Sequence, residues 1–446
     1  MTNDATQNPS GTAPPSSASA APIVAWIGLD WADQKHHLSV RTLDGAPPKA
    51  YQVEHKPQAL DQWLLQLRQQ HPQGRLAVCL EQSRGPVLYA LMKYDFLVIY
   101  PVHPRCLADF RRAFCVSGAK ADPSDADLLS EMGLKHHERL RAFQPDDPAT
   151  RQRRFLTEAR RGFVDQRTAH VNQLLATLKC YYPVAVELVG QNLEGPMGLE
   201  FLRRWPNLTQ LQKAKPGTLR AFFYAHNSRS EEKIDQRLAT VKTAVPLSED
   251  PAIVQSLQLQ ALGLARQLTA LQKTLAEYDQ QIREVFATHG EKSLFASLPG
   301  AGEVLAPRLA AAFGTLRGNL GAALDWLCYS GVAPVQRQSG QQKTVHFRFA
   351  RPKFLHQSLV EFAKCSLGQC EWARLCYEDQ LQKGKGKYAA IRVLAFKWVR
   401  LLWRCWQDRV NYDEVKYLRS LQKHGVKLYE SLYSALPPET MPVKNS

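Results

Sequence analysis

The sequence contains no long apolar segment and no paired cysteine motif. No apolar run approaches the ~18 residues that a membrane-spanning helix needs, and the stretch 391–406 is interrupted by four basic residues. The first 22 residues lack the basic start and apolar core of a signal peptide, so we expect a disordered tail and a cytoplasmic protein of prokaryotic type. None of the nine cysteines forms a CxxC pair, and Cys365, Cys370 and Cys376 match no common zinc signature. We therefore expect reduced, buried and inert cysteines, and no membrane partner.

Negative charge is also scarce. Lys and Arg total 57 against 41 Asp and Glu, which gives a net charge of +16. The excess is uneven, since residues 337–409 hold 15 basic and five acidic residues. Such a balance favours a polyanionic partner, and nucleic acid is the leading candidate. At 446 residues the chain is long enough for two or three domains.

Two short apolar runs in the first third each end in a carboxylate. Residues 23–29 are typical of a buried strand that delivers Asp30, and residues 76–80 repeat the pattern before Glu81. A further apolar strand and a helix follow. Strands that alternate with helices predict an α/β sheet, with both carboxylates at its rim.

The segment KADPSDAD adds Asp122 and Asp125 to this acidic set. Mg²⁺ prefers oxygen ligands, and four acids suit a pair of such ions that promote an in-line displacement at phosphorus. The same segment is also a good helix start, with Asp122 as N-cap and Pro123 at the first helical position, and capping is the commoner role for this spacing. Asp33 and Asp127 are rival ligands, which we leave outside the site.

Long helices are predicted from about Pro148. A strict four-three alternation of apolar residues runs from Leu257 to Val285 and indicates a coiled-coil seam, and a weaker repeat ends at Pro183. The two segments either pair as an antiparallel hairpin or join other subunits. Between them, residues 184–247 are typical of a small helical insertion.

The last third carries a serine in a basic setting. Ser339 and Gly340 are predicted in a polar loop, and Val345 to Phe349 alternate with basic residues as in a half-exposed strand or extended arm. A serine hydroxyl needs a base, a metal or a dense positive field before it attacks, and by composition alone a turn residue is the commoner role. The predicted nucleic-acid-binding side chains, which carry positive charge, are Lys343, Arg348, Arg351 and Lys353.

Five motifs in order give this chain a family resemblance: IGLD, CLEQSRG, KADPSDAD, SLPGAGEVLAPRLAAAFG and YSGVAPVQRQSGQQK. Over roughly residues 23–412 the chain resembles the DEDD transposases, insertion-sequence recombinases related to pilin-gene invertases. The resemblance implies an RNase H/RuvC-like α/β domain, a central coiled-coil region and a mostly helical transposase domain. The expected divisions are a tail at 1–22, a RuvC-like metal-binding domain at 23–148, a coiled-coil region at 149–290 with its insertion at 184–247, a serine-containing domain at 291–412 and a tail at 413–446.

The resemblance also implies a mechanism. Asp30, Glu81, Asp122 and Asp125 match the family's metal-binding acids, with Mg²⁺ as cofactor and Mn²⁺ as an alternative. Ser339 matches its catalytic serine, which forms a covalent phosphoserine linkage with DNA.

The resemblance implies partners as well. They are double-stranded target and donor DNA, a structured guide (bridge) RNA and further copies of the chain, in a tetramer formed from dimers whose composite active sites act at the nucleoid. Two other hypotheses remain: a metal-dependent nuclease or junction resolvase in which water attacks, and a non-enzymatic nucleic-acid-binding scaffold.

Overall fold

The computed structural model describes residues 21–81, 84–114, 122–190, 192–317 and 321–436, and the side chain of Asp122 is outside this description. The chain divides into two compact units, Met1–Pro145 and Asp146–Ser446. In the described ranges, no helix is both long and apolar enough to cross a bilayer. The predicted combination of an α/β N-terminal domain with a mostly helical remainder is confirmed.

The N-terminal unit is a five-stranded mixed sheet with helices on both faces. Strands β1, β4 and β5 are parallel, β2 and β3 are antiparallel additions, and the order is β3-β2-β1-β4-β5. Its elements are β1 (Ile23–Asp30), β2 (Lys35–Thr42), β3 (Lys49–Glu54), α1 (Pro57–Gln70), β4 (Arg75–Leu80), α2 (Pro86–Leu91), β5 (Leu97–Pro101), α3 (Pro104–Phe114) and α4 (Asp122–His136).

Successive side chains of strand β1 point to opposite faces of the sheet, and both faces are covered, so the strand is buried on both sides. Ala25, Ile27 and Leu29 join the apolar cluster of α1 and α2, whereas Trp26 packs into the cluster that contains Leu129 of α4. This two-sided burial explains why the sequence shows a continuous apolar run there.

Helix α4 lies directly on β1 at Gly28. A Cβ atom at Gly28 would come within 1.8 Å of the Ala126 carbonyl oxygen, so only glycine allows this approach. Further along the helix, a Cβ atom at Gly133 would lie 2.5 Å from the Trp26 ring. Helix α4 therefore runs antiparallel to β1, and its first turn lies at the edge where β1 ends.

The second unit begins with two long antiparallel helices, α5 (Pro148–Tyr181) and α11 (Pro251–Ala287). Arg160 on α5 forms an ion pair with Asp279 on α11 at 2.5 Å, and α5 also packs along the predicted seam, where Leu268 is fully buried. Of the two alternatives for the heptads, the structure shows the hairpin within one chain. The helices between them are α6 (Pro183–Val189), α7 (Pro196–Arg204), α8 (Leu208–Gln212), α9 (Pro216–Ala225) and α10 (Glu231–Thr243).

The rest of the second unit is a helical core around Trp372, Trp398 and Trp406, from which a two-stranded hairpin projects. Its elements are α12 (Lys292–Ala296), α13 (Gly302–Phe313), α14 (Ala323–Tyr329), β6 (Val335–Ser339), β7 (Gln342–His346), α15 (Lys353–Ser366), α16 (Glu371–Gln382), α17 (Lys387–Asp408), α18 (Glu414–Lys423) and α19 (Glu430–Tyr433).

Two expectations are wrong in detail. The eight described cysteines are free thiols, but Cys106, Cys180 and Cys365 are exposed rather than buried, because each lies on the solvent side of its helix.

Ser339 ends a strand instead of lying in a loop. The second strand of the hairpin stops at His346, so Phe347 and Phe349 fall outside it.

Candidate active site

Asp30 ends strand β1, and Glu81 directly follows the adjacent parallel strand β4. In the β1–β4 ladder Leu29 pairs with Leu80, so the two acids are the next residues along the two chains. Alternation along the strands aims both side chains at the face that α4 covers, the face of Trp26. Both acids are half-buried. This edge of the sheet, with the first turn of α4, is called the acidic edge below.

Asp125 reaches the acidic edge from the first turn of α4 and is buried, at 2 % exposure. Its Oδ1 accepts hydrogen bonds from Arg111 Nε at 2.9 Å and Arg111 Nη2 at 2.5 Å. Sequence reasoning missed this arginine of α3, because nothing in the spacing of the two residues signals the pair. The predicted role of Asp122 concerns a side chain outside the described atoms, although its backbone begins α4.

The rival acid Asp127 is already engaged elsewhere. Arg41 Nη2 donates to both of its carboxylate oxygens, at 2.9 and 2.8 Å, and Ser39 donates a further hydrogen bond at 2.9 Å. Asp33 lies exposed in the turn after β1. Among the side chains that the structure describes, no group of three or more His, Cys, Asp or Glu could hold a metal ion.

A buried histidine fixes the turn that follows Asp30. The backbone N–H of Ala32 donates to His36 Nδ1 at 3.3 Å, and His36 Nε2 lies 2.9 Å from His55 Nδ1. Burial, with a smaller contribution from His55, lowers the pKa of His36 to about 4. The ring is therefore neutral at pH 7 and can accept the Ala32 hydrogen bond.

Ser339 lies at the tip of the β6–β7 hairpin. It pairs with Gln342 across a two-residue turn, in which Gly340 has a φ of 57°. Glycine is favoured at the first central position of such a turn, because side-chain-bearing residues rarely adopt a positive φ. The serine is exposed, and its hydroxyl has no hydrogen-bond partner among the described residues.

No residue of the hairpin serves as a base for this serine. The imidazole of His346 lies at the opposite end, where it pairs with Val335 in the ladder and contacts Thr344 Oγ1 at 3.0 Å. The described residues of the hairpin therefore place no basic side chain within hydrogen-bonding distance of the Ser339 hydroxyl.

The four predicted nucleic-acid-binding residues fall into two groups. Lys343 and Lys353 are exposed. Arg348 donates to the Ala333 carbonyl oxygen at 3.3 Å, and Arg351 donates to the Arg348 carbonyl oxygen at 2.5 Å. These two half-buried arginines hold the base of the hairpin as well as carrying charge.

Two family models match the chain. One, for DEDD transposases of the IS110 type and described as a transposase, matches residues 27–183. The other, described as the transposase IS116/IS110/IS902 family, matches residues 292–378. Together they cover more than half of the chain and contain the acidic edge and Ser339. The chain belongs to the IS110-type DEDD transposases.

The transposase is similar in sequence to proteins of several insertion elements. It is 25% identical over 400 residues to a mini-circle protein of Streptomyces coelicolor named as the transposase for IS117, a match that covers 88% of this chain and 96% of that protein. It is 22% identical to the 42 kDa protein of element IS900 from Mycobacterium paratuberculosis, over 87% of this chain and 96% of that one. It is 23% identical to the 44.8 kDa protein of element IS116 from Streptomyces clavuligerus, over 86% and 95%.

Family membership makes this protein a DNA transposase of a mobile element, with DNA as its substrate. It also implies a divalent metal ion. The carboxylate oxygens of Asp30, Glu81 and Asp125 are of the donor type that such an ion prefers, although these three described side chains are not arranged as a metal-holding group in the structure. Arg111 already occupies Asp125 Oδ1.

Proposed function

We propose that this transposase cuts and exchanges DNA strands through the hydroxyl of Ser339, with Mg²⁺ held by Asp30, Glu81, Asp122 and Asp125. The observation that carries the proposal is the position of Ser339 at the tip of an exposed hairpin that contains no base. A hairpin with this form can enter a site built by other elements.

The covalent step is a transfer at phosphorus. A bond forms between Ser339 Oγ and the scissile phosphorus as the bond from phosphorus to a deoxyribose oxygen breaks. The hydroxyl proton passes to a carboxylate of the acidic edge or to solvent, and the leaving oxygen takes up a proton. Attack by a deoxyribose hydroxyl of the exchanged strand reverses these steps and frees the serine.

The four acids would hold the metal, which when bound would neutralise charge on the phosphate and lower the pKa of the attacking hydroxyl. Arg111 balances the charge of Asp125 when no metal is bound. The RuvC-like fold is proposed for this unit, and the order β3-β2-β1-β4-β5 with an antiparallel β2 supports it.

We also propose that the site is composite, so that the serine of one chain meets the acidic edge of another within a tetramer formed from dimers. The absence of a base among the described hairpin residues supports this arrangement. Because α5 already covers the coiled-coil seam, contacts between chains must use other surfaces.

Sequence choice is proposed to come from a bridge RNA that pairs with target and donor DNA. The basic segment 337–409 supports binding to nucleic-acid backbones, which carries no base sequence by itself. RNA copurified with the protein and then sequenced tests this directly. Recovery of only random fragments would contradict RNA guidance.

The decisive experiment on chemistry uses Ser339→Ala with Gln338→Ala as its matched control, since Gln338 is the exposed neighbour on the same strand. We expect Ser339→Ala to abolish a covalent protein–DNA adduct and strand cleavage, whereas Gln338→Ala retains both. Asp30→Asn and Glu81→Gln should also abolish cleavage in the presence of Mg²⁺.

A metal-dependent nuclease is the second candidate, favoured by the fact that all four acids belong to the N-terminal unit and need no serine. In that case water attacks the phosphate. Undiminished metal-dependent cleavage by Ser339→Ala, without any adduct, would establish the nuclease and refute the serine mechanism. A non-enzymatic scaffold is incompatible with family membership.

A further inference from the structure

The root of the hairpin is a cluster of aromatic rings and guanidinium groups. The ring of Phe347 has the Cζ atoms of Arg351 and Arg392 at 4.1 and 4.5 Å from its centroid. The ring of Phe349 meets Phe347 edge to face at 4.9 Å. These four residues are called the root cluster. Arg392 comes from α17, so the cluster joins the hairpin to the helical core.

The arginines at the root lack counter-charges. Some arginines of the second unit form ion pairs with carboxylates, as Arg308 does with Glu361, whereas Arg237 donates to the Ser228 hydroxyl instead. Arg351 and Arg392 have no carboxylate partner among the described residues, and the pKa of Arg351 is lowered first by burial and then by Arg392.

The local sequence repeats this imbalance. Residues 335–360 contain five basic residues and no acid, and residues 380–407 contain seven basic residues and no acid. The two segments that form the root cluster therefore carry a local excess of positive charge.

Apolar rings are exposed beside this charge. Phe349 packs its ring against Phe347 but is 81% exposed, and Tyr388 is 86% exposed one helical turn before Arg392. Exposed rings next to cations that have no carboxylate partner form the kind of surface on which an unstacked nucleic-acid base lies, while its phosphates meet the cations.

We infer that the root cluster binds an unpaired nucleotide of the DNA strand next to the cut, with its base stacked on Phe349 and its phosphates facing Arg351 and Arg392. The position relative to the cut rests on the proposed role of Ser339. Phe347 lies five residue steps along extended chain from Gln342, which pairs with Ser339, a span of roughly 17 Å. That span corresponds to about five stacked nucleotides at 3.4 Å each.

The test measures binding without cleavage, in the Ser339→Ala background. Fluorescence anisotropy compares a duplex that carries a short unpaired bulge with the fully paired duplex of the same sequence. We expect tighter binding of the bulged DNA. Phe349→Leu should weaken that binding about 5- to 100-fold, because leucine keeps the apolar contact but offers no aromatic face. Phe349→Trp should restore it, and binding of the paired duplex should stay within about twofold in both variants.

Phe155→Leu is the matched control, since Phe155 is a 54% exposed aromatic residue of the same unit on α5. It should leave both affinities unchanged. The stacking site would be overturned if Phe349→Leu weakened the binding of bulged and paired DNA equally. It would also be overturned if Phe155→Leu weakened the binding of bulged DNA as much as Phe349→Leu does. Tighter binding of an RNA bulge than of the DNA bulge would overturn the assignment to DNA.

A second measurement separates this inference from the proposed mechanism. In the same Ser339→Ala protein, 2-aminopurine is placed at successive positions of the bulged strand, and quenching should peak within about five nucleotides of the cut. Quenching that depends on Phe349 but lies far from the cleavage site would keep the stacking site and refute the role of Ser339. Uniform quenching without a peak would refute the stacking site.

Discussion

The ion pair between Arg111 and Asp125 gives a sharp test of whether Asp125 binds metal. The two side chains are 13% and 4% exposed. Replacement of Arg111 by Gln leaves a buried carboxylate without its partner, which costs about 3–5 kcal/mol of stability when no metal is present. For a unit of this size the melting temperature should fall by roughly 6–20 °C.

Divalent metal should reverse most of this loss. If Asp125 is a ligand, Arg111 competes with the metal, and its removal strengthens binding. At 100 times its dissociation constant a metal that binds only the folded protein adds about 2.7 kcal/mol. Thermal unfolding of wild type and Arg111→Gln, each with EDTA or with Mg²⁺, should therefore show a larger Mg²⁺-dependent rise for the variant.

Arg41→Gln is the matched control, because Arg41 pairs with Asp127 on the same helix α4 but outside the predicted site. It should be destabilised by less, since Asp127 is 40% exposed, and Mg²⁺ should not rescue it. An equal Mg²⁺ effect on wild type and Arg111→Gln, or an equal rescue of Arg41→Gln, would show that Asp125 is not a metal ligand.

Three further outcomes are expected. Gly28→Ala should lower the melting temperature of the N-terminal unit by several degrees, because the new Cβ meets the α4 backbone; an unchanged melting temperature would contradict that contact. Leu268→Asp should unfold the second unit in a proteolysis assay, whereas Leu259→Asp, at a 68% exposed position on the same helix, should not. Burial first lowers the pKa values of His36 and His289 to about 4. The unfolded chain therefore binds more protons below pH 6.5, and stability should fall between pH 6.5 and 4, by up to about 3 kcal/mol for His36. Chemical denaturation at pH 7 and pH 4.5 measures this loss, and His36→Gln should reduce it.

The parts of the fold that depend on local pattern were readable in the sequence. The apolar runs before Asp30 and Glu81 form β1 and β4, because burial on both faces requires continuous apolar side chains. The heptad spacing of apolar residues predicted α11, because that spacing places them in one stripe along a helix, and an apolar stripe must be buried. The sequence left open which helix covers that stripe.

The parts that depend on contacts between distant residues were not readable. Strand β6 is Val-Gln-Arg-Gln-Ser, which has no apolar alternation, and it forms because Gly340 turns the chain back onto β7. Arg111 and Arg392 were missed because their partners are known only once helices have packed. His36 shows the same limit, since its burial depends on Ala32 and His55.

The length of the α5–α11 pair sets the distance between the parts of the second unit at its two ends. A helix of 34 residues is roughly 50 Å long at 1.5 Å per residue. The helices α6 to α10 follow one end of this pair, and the core that carries the serine hairpin follows the other. The pair is therefore a stiff spacer within a single chain, and its length matches about fifteen base-pair steps of duplex DNA at 3.4 Å each. A nucleic acid held at both ends of the spacer would have its register set by the protein before any chemistry begins.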